Sequence, residues 1–219
     1  MTAQGLLVFD VDSTFIEEEV IELLADATGR RAEVAAVTER AMRGELDFAQ
    51  SLRERVKVLE GLPVGVIDDA AASVTLTRGA AEVVVTAHAA GWSVALLSGG
   101  FTAVVEQVTA GMGIDELRAN HLETTRDGAS EVLTGRVLGE IVDRAGKARH
   151  VKAIAAARGI DPSRTIAVGD GANDIDMLEA AAVGVAFCAK PALRPHADII
   201  VDDRDLMRVW EAAQGALTG

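Results

Sequence analysis

Two aspartates one residue apart, Asp10 and Asp12, close a short apolar run, and the hydroxyls of Ser13 and Thr14 follow at once. A second apolar run ends on Ser98-Gly99-Gly100, and a third on Gly169-Asp170-Gly171-Ala172-Asn173-Asp174. If the three runs are parallel strands of one sheet, their ends meet along one edge, where ligands of such sheets bind. Asp10, Asp12 and Asp170 cannot all ionise in a small pocket without a cation, and an all-oxygen donor set suits Mg²⁺. Ser98 and its glycines, read as opening a helix near Phe101, offer backbone N–H groups and a positive helix end to a phosphate. Ser13 and Thr14 add further donors. A phosphate, a hard cation and a spare carboxylate in one place suit phosphoryl transfer through an aspartyl-phosphate. Any one of these residues alone reads equally well as a loop or a helix cap, so the joint placement carries the reading.

The roles follow from protonation. A carboxylate is ionised at neutral pH, so Asp10 can attack phosphorus without a base. Asp12 needs the opposite state: beside two anions its pKa is expected to rise, letting it protonate a departing alkoxide and later take a proton from water. Lys147 precedes Val151 and Ile154 by four and seven residues, which puts it on their apolar face near the helix start. A cation there opposes the helix dipole by roughly 0.3–1 kcal/mol, so an anionic partner is expected, either the phosphate or Asp10. On a helix over 47–60, Phe48, Leu52, Arg55, Val56 and Leu59 share one face. A guanidinium inside that stripe wants a carboxylate, from the protein or from a substrate. Glu17, Glu18 and Glu19 open the preceding helix, where acids favour the dipole whatever else they do, and the helical period aligns Glu17 with Val20 and Leu24.

Strands and helices must alternate to place these groups. Residues 6–9, 94–97, 165–168 and 184–187 are continuous apolar runs of strand length, which suits burial on both faces of a parallel sheet. Helical patterns lie between them and close before glycine: 20–28 before Gly29, 80–90 before Gly91 and 151–158 before Gly159. That order predicts an α/β fold with a doubly wound parallel sheet. Residues 17–75 break the alternation with three or four helical patterns interrupted at Gly29, Gly44, Gly61 and Pro63. They are expected to form a small helical cap inserted after the first strand, with 1–16 and 76–219 as the catalytic core. Residues 121–138 read as a β-hairpin turning at Arg126-Asp127-Gly128.

Composition narrows the partners. A chain of 219 residues, 49% hydrophobic, is long enough for one α/β core with a modest insertion. Its net charge of −13 repels nucleic acid and anionic lipid, and 3% aromatics without tyrosine removes the stacking platforms of single-strand binders. The mean hydropathy is +0.23, yet the densest apolar stretch, 180–189, is far shorter than a membrane span. Residues 1–5 carry no basic segment and the first apolar run stops at Asp10, so no signal peptide is expected. A lone Cys188 excludes an internal disulfide, fits a cytoplasmic location and reads as a packing residue. His88, His121, His150 and His196 lack the i, i+4 spacing of a helical zinc site. Trp92 and Trp210 read as anchors for the core and the terminal helix, and Met42 and Phe48 as cap residues facing core or substrate. A monomer or homodimer is expected.

Taken in order, 9–14, 48–55, 98–101, Lys147, 168–174 and 186–191 give the chain a resemblance to the haloacid dehalogenase superfamily of phosphohydrolases, over nearly its whole length. The Asp-x-Asp element is moderately specific alone; its order with the serine, lysine and Gly-Asp-Gly-x-Asn-Asp elements is strongly so. The resemblance implies a haloacid dehalogenase-like Rossmannoid core, Mg²⁺ as cofactor, Asp10 as nucleophile and Asp12 as general acid/base. It implies metal ligation by Asp10, Asp170 and the backbone carbonyl of Asp12, with Asp174 supporting. Substrate binding falls to Ser98, Gly99, Lys147 and Asn173, to Arg55 for a substrate carboxylate, and to Glu19 rather than Glu17 for a substrate ammonium. Those groups are the ones O-phospho-L-serine carries, so the implied reaction is its hydrolysis to L-serine and phosphate, the last step of serine biosynthesis. Because the chain starts directly at the first strand, no amino-acid-sensing domain, and no feedback through one, is expected. Two alternatives remain open: a phosphotransferase or phosphatase of another small phosphomonoester, and, from a different class, a receiver-like phosphate-responsive regulatory module. A receiver needs no acid/base at Asp12 and does not turn over.

Overall fold

Leu6 and Val8 pack on one side of the first strand and Leu7 and Phe9 on the other, and all four are sealed from solvent. Such a strand needs a layer over each face. The computed structural model, which describes residues 3–43 and 45–218, supplies both. The strands are β1 (Gly5–Phe9), β2 (Trp92–Phe101), β3 (Glu116–Asp127), β4 (Ser130–Leu138), β5 (Thr165–Gly169), β6 (Val183–Phe187) and β7 (Ile199–Val201). They form one sheet in the order β4-β3-β2-β1-β5-β6-β7, parallel throughout except for the β3–β4 hairpin. Helices α5 (Ala80–Ala89), α6 (Thr102–Val108) and α9 (Leu206–Thr218) cover the Leu7 and Phe9 face. Helices α7 (Arg144–Ala157) and α8 (Ile175–Glu179) cover the Leu6 and Val8 face. Trp92 and Trp210 meet edge to face, their ring centroids 5.4 Å apart, and fasten α9 to the sheet.

Four further helices follow β1 before the chain returns to the sheet: α1 (Val20–Ala27), α2 (Arg31–Met42), α3 (Phe48–Lys57) and α4 (Val66–Ala72). The break expected at Gly44 and the side chain of Met42 lie outside the described residues. The segments leading into and out of this helical group run side by side, with an Ile16–Leu76 bridge flanked by Glu17 N to Thr75 O and Thr77 N to Phe15 O, both 3.0 Å. A second tie lies at its far end. Residues 61–64 add to β4 through Gly61 N to Leu133 O and Leu133 N to Leu62 O, both 2.8 Å, and Val64 N to Glu131 O at 3.0 Å.

Each expected strand lies inside an observed one, and the hairpin ladder runs from His121–Leu138 to Asp127–Ser130. Three differences have local causes. Helix α7 begins at Arg144, ahead of Lys147 and of the apolar pattern over 151–158, because the Asp143 carboxylate accepts from Gly146 N at 2.7 Å and caps two polar turns that show no apolar period. β2 continues through Phe101, so the following helix starts at Thr102 and residues 98–100 belong to a bulged strand end. β7 is three residues long, below the length at which an apolar run stands out. Among the described residues no helix is long and apolar enough to cross a membrane.

Candidate active site

The carboxyl ends of β1, β2, β5 and β6 open on a cavity of about 350 Å³ roofed by α1, α2 and α3. Its floor begins with Asp10, 3% exposed, whose backbone N–H donates to Val168 O at 2.9 Å and so continues the β1–β5 ladder. The chain then turns tightly over 11–15, with Ser13 at φ 57° and Phe15 folded back on Phe9 at 5.5 Å. This turn presents Asp12 and Ser13 to the cavity side. Asp170 and Asp174 follow β5, and an added Cβ at Gly169 would sit 2.5 Å from the Asp174 side chain, so only glycine admits that carboxylate. Asp174 Oδ2 accepts from the backbone N–H of Asp170 at 3.2 Å and of Gly171 at 3.1 Å.

Lys147 reaches this floor from α7. Its ammonium, 1% exposed, lies 2.5 Å from Asp10 Oδ1 and 2.7 Å from Asp174 Oδ1. Burial alone would lower its pKa, but the two carboxylates outweigh that and hold it raised. Burial and the neighbouring Asp174 push Asp10 well above the usual carboxylate range, against the pull of Lys147. Asp10, Asp170 and Asp174 each offer an oxygen within 4.8 Å of the others. Counting Asp12 and Glu19, five carboxyl groups and three cations, Lys147, Lys190 and Arg55, share this site. A divalent cation on the buried oxygens fits the all-oxygen donor set and would offset the repulsion among the carboxylates.

Asp12 is held differently. Its Oδ2 accepts from Val20 N at 3.2 Å, while Oδ1 is buried and has no partner. Burial first, and then the charge of Glu19, raise its pKa to about 7. The expected rise is present, but its main cause is desolvation, and the charge that adds most to it is Glu19 rather than Asp10 or Asp170. Such a carboxyl can hold or release a proton near neutral pH.

The roof carries the second set of charges. Glu19 lines the cavity and accepts from Ser13 Oγ at 2.9 Å; burial raises its pKa. Glu17 faces away and pairs with Arg204. The periodicity argument for Glu17 fails because α1 starts at Val20, so Glu17 lies outside the helix to which the period was applied. Arg55 also lines the cavity, donating through Nε only to Ser51 O of its own helix at 3.4 Å. Among the described residues no carboxylate lies within ion-pair distance of it. Burial pulls its pKa below that of a free guanidinium. Phe48, Leu52 and Ile21 give the roof its apolar surface.

Of the residues singled out in the sequence, Asp10, Asp12, Glu19, Arg55, Gly99, Asp170 and Asn173 line the cavity, and Ser98, Lys147 and Asp174 are buried beside it. Cys188 stands apart, its thiol pKa raised by burial, which suits packing rather than reactivity. Lys190 was not anticipated. It follows β6 and pairs with Asp170 Oδ2 at 2.9 Å, and the rule that strand ends carry the site, applied to a fourth strand, points to it.

A family model for haloacid dehalogenase-like hydrolases matches residues 7–179. A phosphoserine phosphatase of Streptococcus thermophilus is 49% identical over 208 residues, covering 95% of each chain. Among solved structures, a phospho-aspartyl intermediate analogue of phosphoserine phosphatase superposes with a TM-score of 0.87 at 40% identity, over 96% of this chain and 99% of the other. A substrate-bound phosphoserine phosphatase complex gives 0.87 at 39% identity, over 97% and 99%.

Proposed function

The chain belongs to the haloacid dehalogenase-like hydrolases, and from that premise we infer that it hydrolyses O-phospho-L-serine to L-serine and phosphate, the last step of serine biosynthesis, through an aspartyl-phosphate. The observation that carries this reading is Arg55: a half-buried guanidinium without a protein carboxylate at ion-pair distance among the described residues, in the same small cavity as Glu19 and the carboxylate floor. Phosphoserine has a carboxylate for Arg55, an ammonium for Glu19 and a phosphate for the floor.

Asp10 attacks phosphorus and takes up the phosphoryl group, with Lys147 and Asp174 fixing its position. Asp10, Asp170 and the Asp12 backbone carbonyl would hold a divalent cation, Mg²⁺ in this proposal, which when bound would offset the repulsion between phosphate and carboxylates. Ser98, Gly99, Lys147 and Asn173 hold the phosphate oxygens. The Asp12 carboxyl, with its pKa near 7, gives its proton to the departing serine oxygen and then accepts one from the water that attacks the aspartyl-phosphate. The apolar roof of Phe48, Leu52 and Ile21 limits competing water.

The division into a core of 1–16 and 76–219 and a cap of 17–75 is part of the same proposal, supported by the antiparallel bridge between Ile16 and Leu76. So is a cytoplasmic location, supported by the single thiol of Cys188. Phosphate release across a panel of phosphoesters, each with Mg²⁺ and with chelator, tests the function. Mg²⁺-dependent release that favours O-phospho-L-serine is expected; release undiminished in excess chelator, or no preference for phosphoserine over an aryl phosphate, overturns it.

A further inference from the structure

We propose that Asn120 is a positioning residue that aims the hydroxyl of Ser98 at the substrate phosphate. The inference deepens the reading above, since it rests on Ser98 binding phosphate. It starts from an irregularity in the sheet. Between Leu97–Arg118 and Phe101–Asn120, β2 advances four residues while β3 advances two, so residues 98–100 bulge out of the ladder. The Gly99 carbonyl therefore loses its regular strand partner. Asn120, 1% exposed, replaces that partner: its Nδ2 donates to Gly99 O at 2.9 Å. Its Oδ1 accepts from Val142 N at 2.9 Å, so a carbonyl on one side and an N–H on the other fix which way the amide faces.

The consequence passes through one peptide plane. Gly99 C=O and Gly100 N–H belong to the same planar trans unit and point in opposite directions. With the carbonyl held by Asn120, the N–H is held on Ser98 Oγ, to which it donates at 2.8 Å. Ser98 Oγ thus acts as an acceptor toward its own loop, and its proton is left for a second acceptor. In a site built for phosphate, that acceptor is a phosphate oxygen. The other end of Asn120 holds the backbone just ahead of the Asp143 cap of α7, the helix that carries Lys147. One buried amide therefore sets the spacing between the Ser98 turn and the Lys147 helix.

Asn120→Asp tests this with almost no change in shape. Ionised, the new carboxylate places an oxygen against Gly99 O; protonated, it restores both hydrogen bonds. The expected result is a kcat/KM for O-phospho-L-serine about tenfold below wild type near pH 8, carried mainly by kcat. The ratio to wild type should recover as the pH falls toward about 5, because burial raises the carboxyl pKa. Asn120→Leu, which can make neither bond, should stay low at every pH. In a Ser98→Ala background, Asn120→Asp should cost less than about threefold, since it acts through the hydroxyl already removed. Independent losses in that cycle, or a ratio that stays at one or does not change with pH, overturn the inference. Should the Asn120 variants not fold, the wild type still decides: titration with inorganic phosphate should shift the Asn120 side-chain amide resonances, and should do so far less in Ser98→Ala. An amide unmoved by saturating phosphate overturns the inference. A wild type that does not hydrolyse phosphoserine refutes the activity and not this coupling, which the phosphate titration still reads.

Discussion

Replacing Arg55 by alanine separates recognition of phosphoserine from phosphatase chemistry in general. The side chain donates only a long hydrogen bond to Ser51 O and has no carboxylate at ion-pair distance among the described residues, so truncation removes little from the folded protein itself. What it would remove, on the function proposed above, is a charge-assisted contact to the substrate carboxylate, worth roughly 1.5–3 kcal/mol in a partly desolvated site. At about 1.4 kcal/mol per tenfold, kcat/KM for O-phospho-L-serine should fall roughly ten- to a hundredfold. An aryl phosphate, which lacks the carboxylate, should lose far less. The melting temperature should move by no more than about 2–4 °C, the shift that 1 kcal/mol gives in a protein of this size. Steady-state kinetics on both substrates, beside thermal unfolding, measure all three quantities. Equal losses on the two substrates with a large drop in melting temperature would show that Arg55 supports the roof, and the argument from an unpaired guanidinium would be wrong.

Asp10→Asn should abolish turnover while leaving the protein folded, because the amide is nearly isosteric with the carboxyl it replaces; phosphate release by the folded variant would remove Asp10 from its role. The Asp12 pKa is raised above its unfolded value near 3.8 to about 7, so the folded state binds more protons between those limits and its stability falls as pH rises through them. Metal-free wild type should therefore lose melting temperature relative to Asp12→Asn from about pH 4 to about pH 7, and a pH-independent difference would contradict the assignment. Lys147→Met leaves Asp10 and Asp174 buried without a cation and should cost about 3–5 kcal/mol in denaturant unfolding. A cost below about 1 kcal/mol would mean that these carboxyls are neutral in the metal-free protein.

The chemistry was legible where an apolar run stops abruptly on polar residues. Phe9 to Asp10 and Val168 to Asp170 each mark the end of a strand, Leu97 to Ser98 marks the start of the bulge in β2, and a parallel sheet brings these three places to one edge. The helix carrying Lys147 was visible only over its apolar half, since its first two turns are held by the Asp143 cap and by ion pairs that no period records. Glu19 could not be told from Glu17 by helical spacing, because the carboxylates lie in the turn before α1 and are aimed by the left-handed Ser13 and by Arg204, a residue far along the chain. Asn120 was invisible for a related reason. Its importance comes from a two-residue bulge in β2, and a shift in register between two strands leaves no mark on either sequence alone.

The backbone pairing of residues 61–64 with β4 bears on how modules of this protein can be exchanged. A roof transplanted as residues 17–75 alone would strand the N–H groups of Gly61 and Val64 and leave Leu133 facing a foreign edge. Gly135 tightens the constraint, since an added Cβ there would lie 2.9 Å from the Glu60 side chain, so the seam tolerates no bulkier residue in a borrowed hairpin. The unit that can be swapped between relatives to change substrate preference is thus discontinuous: the helical segment together with the hairpin of 121–138, cut at four places rather than two.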